Sequence, residues 1–122
     1  MIKQIKSNQL TEYIKNKTNC VLLDVRNQKE WEQDGMPDGD KIGIKTYFLT
    51  IKDENFANEF KKLNVSQEKE VLVMCMGGVR SQAASQLLSN ENYNCVNISD
   101  GFLGNGQDVG WKNNLLPVKL IR

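Results

Sequence analysis

Histidine is absent from this 122-residue chain. That excludes a Ser-His-Asp triad, a Cys-His dyad and any zinc site with imidazole ligands. It also removes the usual proton shuttle near neutral pH. Cysteine is scarce. Cys20, Cys75 and Cys95 are odd in number, widely spaced and without a C-x-x-C, which fits neither a disulfide framework nor a zinc ribbon. A reducing, cytoplasmic setting is the simplest one for such thiols. Charge of one sign is lacking too. Sixteen Lys and Arg stand against fifteen Asp and Glu, for a net charge of +1. The lysines are scattered rather than clustered, which speaks against nucleic-acid binding. No run approaches the ~18 apolar residues of a membrane span. Met1 to Lys6 alternates apolar and polar residues with no apolar h-region, so no signal peptide is expected.

The length allows one domain, residues 1–122. Short apolar runs mark strands at Ile2 to Ile5, Val21 to Val25, Ile42 to Ile44, Val71 to Cys75 and Cys95 to Ile98. Two of them, VLLDV and VLVMC, are almost continuously apolar, the pattern of strands covered on both faces in a parallel sheet. Helical patterns fall between them. Leu10, Tyr13 and Ile14 share a face after a candidate Ser7 cap. Asn27-x-x-Glu30 reads as a capping box opening a short helix that carries Trp31. Phe56, Phe60 and Leu63 follow i, i+4, i+7 spacing. Ala83, Ala84, Leu87 and Leu88 line a helix after Gly77-Gly78. The alternation predicts an α/β domain with right-handed crossovers. The glycine-rich stretch from Asp100 to Gly110 reads as a loop, with Trp111 anchoring it.

Chemistry concentrates in Val71-Leu72-Val73-Met74-Cys75-Met76-Gly77-Gly78-Val79-Arg80-Ser81. A buried strand ends at a cysteine, a loop with two glycines follows, and a helix begins near Arg80 or Ser81. Ligands of open α/β sheets bind beyond the carboxyl ends of strands. Gly77 and Gly78 permit positive φ, so the loop can curl its N–H groups inward. The helix adds its positive end and Arg80 a full charge. Each favours thiolate over thiol at Cys75 without a histidine. The bland alternative for Cys75 is a small core residue, and for Cys20 and Cys95 that alternative is the expected one. Ser81 either caps the helix or donates a hydrogen bond toward Cys75. Asp24 ends an apolar strand and so lies near the same strand tips. Arg26 and Glu30 are spaced to pair as i, i+4. Asp24 and Arg26 either hold the loop or tune the site. Trp31 and Trp111 read as packing anchors.

The loop resembles the active-site loop of rhodanese-like sulfurtransferases, C-x-x-G-x-R-S, here Cys75-x-x-Gly78-x-Arg80-Ser81. Leu23-Asp24-Val25-Arg26 with Glu30-Trp31 resembles the family's D-V-R-x-x-x-E-[FW] segment. Gly35 and Met36-Pro37-Asp38-Gly39 stand in place of G-H-I-P-G-A, with Met36 where the family has histidine. Asp100-Gly101-Phe102 with Trp111 resembles the terminal G-G-x-x-x-W region.

The resemblance spans roughly residues 5 to 115 and implies a central parallel five-stranded sheet flanked by helices. It also implies ping-pong chemistry. The Cys75 thiolate takes a sulfane sulfur from thiosulfate, a persulfide or a polysulfide, and the resulting persulfide passes it to cyanide or a thiol. Met76, Gly77, Gly78, Val79, Arg80 and Ser81 form the persulfide-binding loop, with Arg80 steering an anionic donor. No metal or other cofactor is implied. Partners are small sulfur-containing anions, persulfides and a sulfur-accepting protein. Met76 and Val79 make the loop less basic than in family members that favour thiosulfate, so a persulfide or protein-bound sulfur is expected to be the better donor. Two rivals remain. One is a non-catalytic carrier or partner-binding module. The other is a cysteine phosphatase or arsenate reductase, which on this fold uses five residues between cysteine and arginine where this chain has four.

Overall fold

The computed structural model describes residues 1–121. Five strands form one sheet in the order β1-β6-β5-β2-β4: β1 Lys3–Ile5, β2 Cys20–Asp24, β4 Lys45–Phe48, β5 Glu70–Met74 and β6 Asn94–Ile98. Every pairing among them is parallel. The near-continuous apolar runs form β2 and β5, as strands buried on both faces should. All five residues of β2 are buried. Alternate side chains divide between two cores. Val21, Leu23, Val71, Val73 and Cys75 pack with Phe56, Phe60, Ala84 and Leu88. Leu22, Leu72 and Met74 pack with Leu10, Ile14 and Trp111 on the opposite face. The helices behind these contacts are α1 Leu10–Ile14, α3 Phe56–Lys61, α4 Val79–Ser89 and α5 Gly110–Asn113. The remaining helix, α2 Gln28–Asp34, opens on the expected capping box, with Asn27 Oδ1 accepting from Glu30 N and Glu30 Oε1 accepting from Asn27 N.

Two local expectations are corrected. The Ile42 to Ile44 run is not a strand. Gly39–Ile42 is a 3-10 turn and the strand begins at Lys45. Ser7 does not cap α1 through its side chain. It lies in a 3-10 turn, where its N–H and hydroxyl both donate to buried Asp100. A small antiparallel pair, β3 Met36–Pro37 with β7 Val118–Lys119, was not legible in the sequence. Trp111 is fully buried and donates from Nε1 to the Pro117 carbonyl, so it does anchor the segment after the glycine-rich loop. Among the described residues, no helix is long and apolar enough to cross a membrane.

The topology itself marks a crevice. From β2 the chain crosses outward to β4, and from β5 it crosses the opposite way to β6. Neighbouring strands whose connections diverge leave an opening at their carboxyl ends. Asp24 closes β2 there, and Cys75 follows the last residue of β5.

Candidate active site

Cys75 emerges from β5 with its side chain toward the α3 and α4 core, and it is only 1% exposed. The backbone turns at once. Gly78 has φ +103° and stands as the N-terminal cap of α4, the left-handed region that glycine enters without a Cβ clash. That turn aims the Gly78 N–H at Cys75 Sγ, 3.1 Å away. Gly77 is not in the left-handed region; a Cβ there would sit 2.9 Å from the Gly104 carbonyl, so space is what requires a glycine. The α4 N-terminus begins at Val79, directing its positive end to the same place.

The loop's carbonyls point elsewhere. Phe102 N donates to Cys75 O and Leu103 N to Met76 O, so the glycine-rich segment is laced along the loop that follows Cys75. Gly101 must be small for this approach, because a Cβ would lie 2.5 Å from Met76 O and 2.6 Å from Cys75 O. Val79, the first residue of α4, projects into solvent at 82% exposure.

Ser81 is the third residue of α4, so it is not the cap. Its Oγ lies 3.3 Å from Cys75 Sγ. It also donates to Asn97 Oδ1 at 2.5 Å, a partner that sequence reasoning missed. The available signal was a polar residue inside the otherwise apolar end of β6, CVNI, which needs a buried partner.

The charged residues are already engaged. Arg80 makes a two-pronged pair with Glu30, both bonds 2.7 Å, binding α4 to the first turn of α2. Arg26 does not pair with Glu30. It lies before α2, where helical spacing has no meaning, and folds back on Asp24. Its N, Nε and Nη2 donate to the Asp24 carboxylate at 2.8–3.1 Å. Arg26 Nη2 also donates to the Gly35 carbonyl, and the guanidinium lies 4.1 Å from the centre of the Phe102 ring. Both residues are fully buried, and neither has a hydrogen bond to Cys75. Burial pushes the Asp24 carboxyl up, and the Arg26 hydrogen bonds pull it back. Trp31 packs edge-on against Phe48, with ring centres 5.5 Å apart.

The other cysteines are built differently. Burial alone pushes the Cys95 thiol up to about 12. Burial, then the Glu70 carboxylate, raises Cys20. Neither has a comparable N–H cradle, and no cysteine is in a disulfide. No group of three or more His, Cys, Asp or Glu that would hold a metal occurs among the described residues.

The Arg80 guanidinium holds the Glu30 carboxyl below the usual carboxylate range. Folded Glu30 therefore binds a proton less readily than unfolded Glu30. The pair's contribution to stability is present at neutral pH and is lost as pH falls below the ordinary glutamate range, about 4. Glu30→Gln is expected to lose less stability than the wild type between neutral pH and about pH 3, below that range. Urea midpoints at the two pH values measure this, and equal losses would remove the pair from the account.

Comparison with known proteins gives a consistent result. The family described as rhodanese-like domain matches residues 7–105. A relative from Rickettsia prowazekii, the uncharacterized protein RP600, is 38% identical over 120 residues, covering 96% of this chain and 97% of its own. A tRNA uridine(34) hydroxylase of Buchnera aphidicola is 27% identical, covering 93% of this chain but 34% of its own length. Among solved structures, Rv0390 from M. tuberculosis superposes with a TM-score of 0.77 at 24% identity, covering 96% of each chain.

Proposed function

Because the chain belongs to the rhodanese-like domain family, we propose that it is a sulfurtransferase carrying sulfane sulfur as a Cys75 persulfide. The observation that supports this most is the Gly78 N–H aimed at Cys75 Sγ from the start of α4. Cys75 Sγ attacks the outer sulfur of a donor R–S–SH, forming the new S–S bond and releasing R–S⁻. An acceptor thiolate or cyanide then attacks the outer sulfur of Cys75–S–SH, and the bonding pair returns to Sγ. In the second step charge develops on Cys75 Sγ, where the Gly78 N–H is already aimed and needs no reorganisation at the moment of reaction.

Arg80 enters differently from the role the resemblance implied. Its guanidinium is spent on Glu30, so the loop presents little free positive charge to a doubly charged donor such as thiosulfate. A persulfide, polysulfide or protein-bound sulfur, with less charge to neutralise, fits better. The exposed Val79 rim suits a thiol on an apolar protein surface. A reducing cytoplasm fits three free thiols.

The hydroxylase relatives suggest a second reading, action on tRNA. The chain covers about a third of those proteins, and its net charge of +1 offers little to attract a polynucleotide. The sulfur-transfer reading is therefore preferred. A carrier module would form the same persulfide without turning over.

Intact mass after incubation with glutathione persulfide tests the proposal. A gain of one sulfur atom is expected, lost in Cys75→Ser, retained in Cys20→Ser and Cys95→Ser, and discharged by cyanide. Thiosulfate should load the protein more slowly. No adduct at Cys75 would overturn the proposal.

A further inference from the structure

The group that contacts Cys75 most closely from α4 is a hydroxyl, and a hydroxyl has one proton to give. Ser81 Oγ sits between two partners, Cys75 Sγ at 3.3 Å and Asn97 Oδ1 at 2.5 Å. Which of them receives the proton depends on the orientation of the Asn97 amide. That amide is held from its other end. Asn97 Nδ2 faces three oxygens: Gln4 Oε1 at 2.8 Å, Gly78 O at 3.2 Å and Gln82 Oε1 at 3.2 Å. The Gly78 carbonyl can only accept, and it is also held by Gln82 N–H. Turning the amide over would press Oδ1 against that carbonyl, and Asn97 is almost completely buried, with little water to compensate. Oδ1 is therefore a fixed acceptor aimed at Ser81.

We propose that Asn97 is a positioning residue that holds the Ser81 hydroxyl proton away from Cys75, biasing the resting cysteine toward the thiol. The Ser81 lone pairs then face the sulfur, and the thiol S–H donates to them. Once the thiol proton is lost to water, the hydroxyl is free to swing onto the sulfur, at the expense of an unpaired, buried Asn97 Oδ1. Gly78 N–H favours charge on the sulfur and the Asn97–Ser81 link opposes it. A cysteine balanced in this way stays guarded until a donor occupies the loop. The same Asn97 amide also steadies Gly78 through its carbonyl, so both groups that touch the sulfur are held by one residue of β6. This inference concerns the same cysteine as the proposed persulfide, but its test involves no sulfur transfer, so the two can fail separately.

The two directions of the Ser81 hydroxyl predict opposite results. If Ser81 accepts from the thiol, Ser81→Ala removes support for the thiol. Alkylation of Cys75 by iodoacetamide at neutral pH, located by peptide mass, should then accelerate about five-fold, the value of one net hydrogen bond. Thiolate absorbance, taken as the difference from the matching Cys75→Ser protein, should rise with it. Asn97→Ala should also accelerate alkylation, by freeing Ser81 to donate to the sulfur, and that acceleration should vanish in the Ser81→Ala background. Slower alkylation and weaker thiolate absorbance in Ser81→Ala would overturn the proposal. So would an Asn97→Ala effect that persists undiminished without Ser81. If Asn97→Ala fails to fold, Ser81→Ala alone still decides.

Discussion

Asp24→Asn is expected to destabilise the fold by about 3–5 kcal/mol, the consequence of stripping a buried guanidinium of its counter-charge. The melting midpoint should fall on the order of 10 °C or more. Arg26 is fully buried, and among the described residues its only carboxylate partner is Asp24. Among the described residues its Nη1 already lacks a hydrogen-bond partner, so little slack remains in its surroundings. The damage would spread because Arg26 is a junction. It meets the end of β2 through Asp24, the end of α2 through Gly35 and the glycine-rich segment through Phe102, while Thr50 Oγ1 donates to its carbonyl. Replacing both partners together with apolar residues of similar size, Asp24→Leu with Arg26→Met, should be milder than Asp24→Asn alone. Chemical denaturation of the three proteins measures this. A single variant no less stable than the double would show that the pair is not the junction argued here.

Gly78→Ala is expected to lower sulfur-transfer kcat/KM by roughly 100-fold or more, the usual effect of removing one well-placed N–H donor. The new Cβ would collide with the Ser99 backbone carbonyl, at a φ of +103° that L residues rarely adopt. The peptide must rotate or shift, and its N–H would then leave Cys75 Sγ. Stability should also drop, by about 1–3 kcal/mol from backbone strain. Gly43→Ala separates the two effects. Gly43 has φ +87° with nothing within 4 Å of a Cβ, and it lies in the turn before β4. It should suffer the strain and keep its turnover. If Gly78→Ala forms and discharges the Cys75 persulfide within a few-fold of the wild-type rate, the amide is not what supports the sulfur.

Much of this architecture was legible because burial and local spacing leave direct marks. VLLDV and VLVMC are apolar at nearly every buried position, and they supply most of β2 and β5. The Asn27 and Glu30 pair acts within one turn, so its capping box could be read from two letters. The β4 boundary was not legible in the same way. Lys45 to Phe48 is a half-exposed edge strand, whereas buried Ile44 beside it belongs to no strand. The ion pairs were misread because the i, i+4 rule applies only inside a helix. Arg26 precedes α2 and turned to Asp24, while Glu30 found Arg80 fifty residues away. Asn97 escaped notice for a similar reason: its partners Gln4, Gly78, Ser81 and Gln82 are brought together only by the β1-β6-β5 order. Short-range grammar exposed the candidate nucleophile and its loop. The network behind the loop is a product of strand order.

The lacing of Phe102 and Leu103 onto the carbonyls of Cys75 and Met76 has a consequence for how the site meets its surroundings. With Gly78 O also taken, by Asn97 and Gln82, these three oxygens are turned away from the sulfur. The pocket is thereby polarised by peptide geometry, with no formal charge of its own to advertise. Such a field is strong at contact and fades quickly with distance. Dissolved ions attenuate attraction between separated charges but barely touch dipoles already at van der Waals range. Under the proposed function, capture of sulfur is thus a matter of close fit, indifferent to the ionic strength of its surroundings, and long-range recruitment of anions is given up in return.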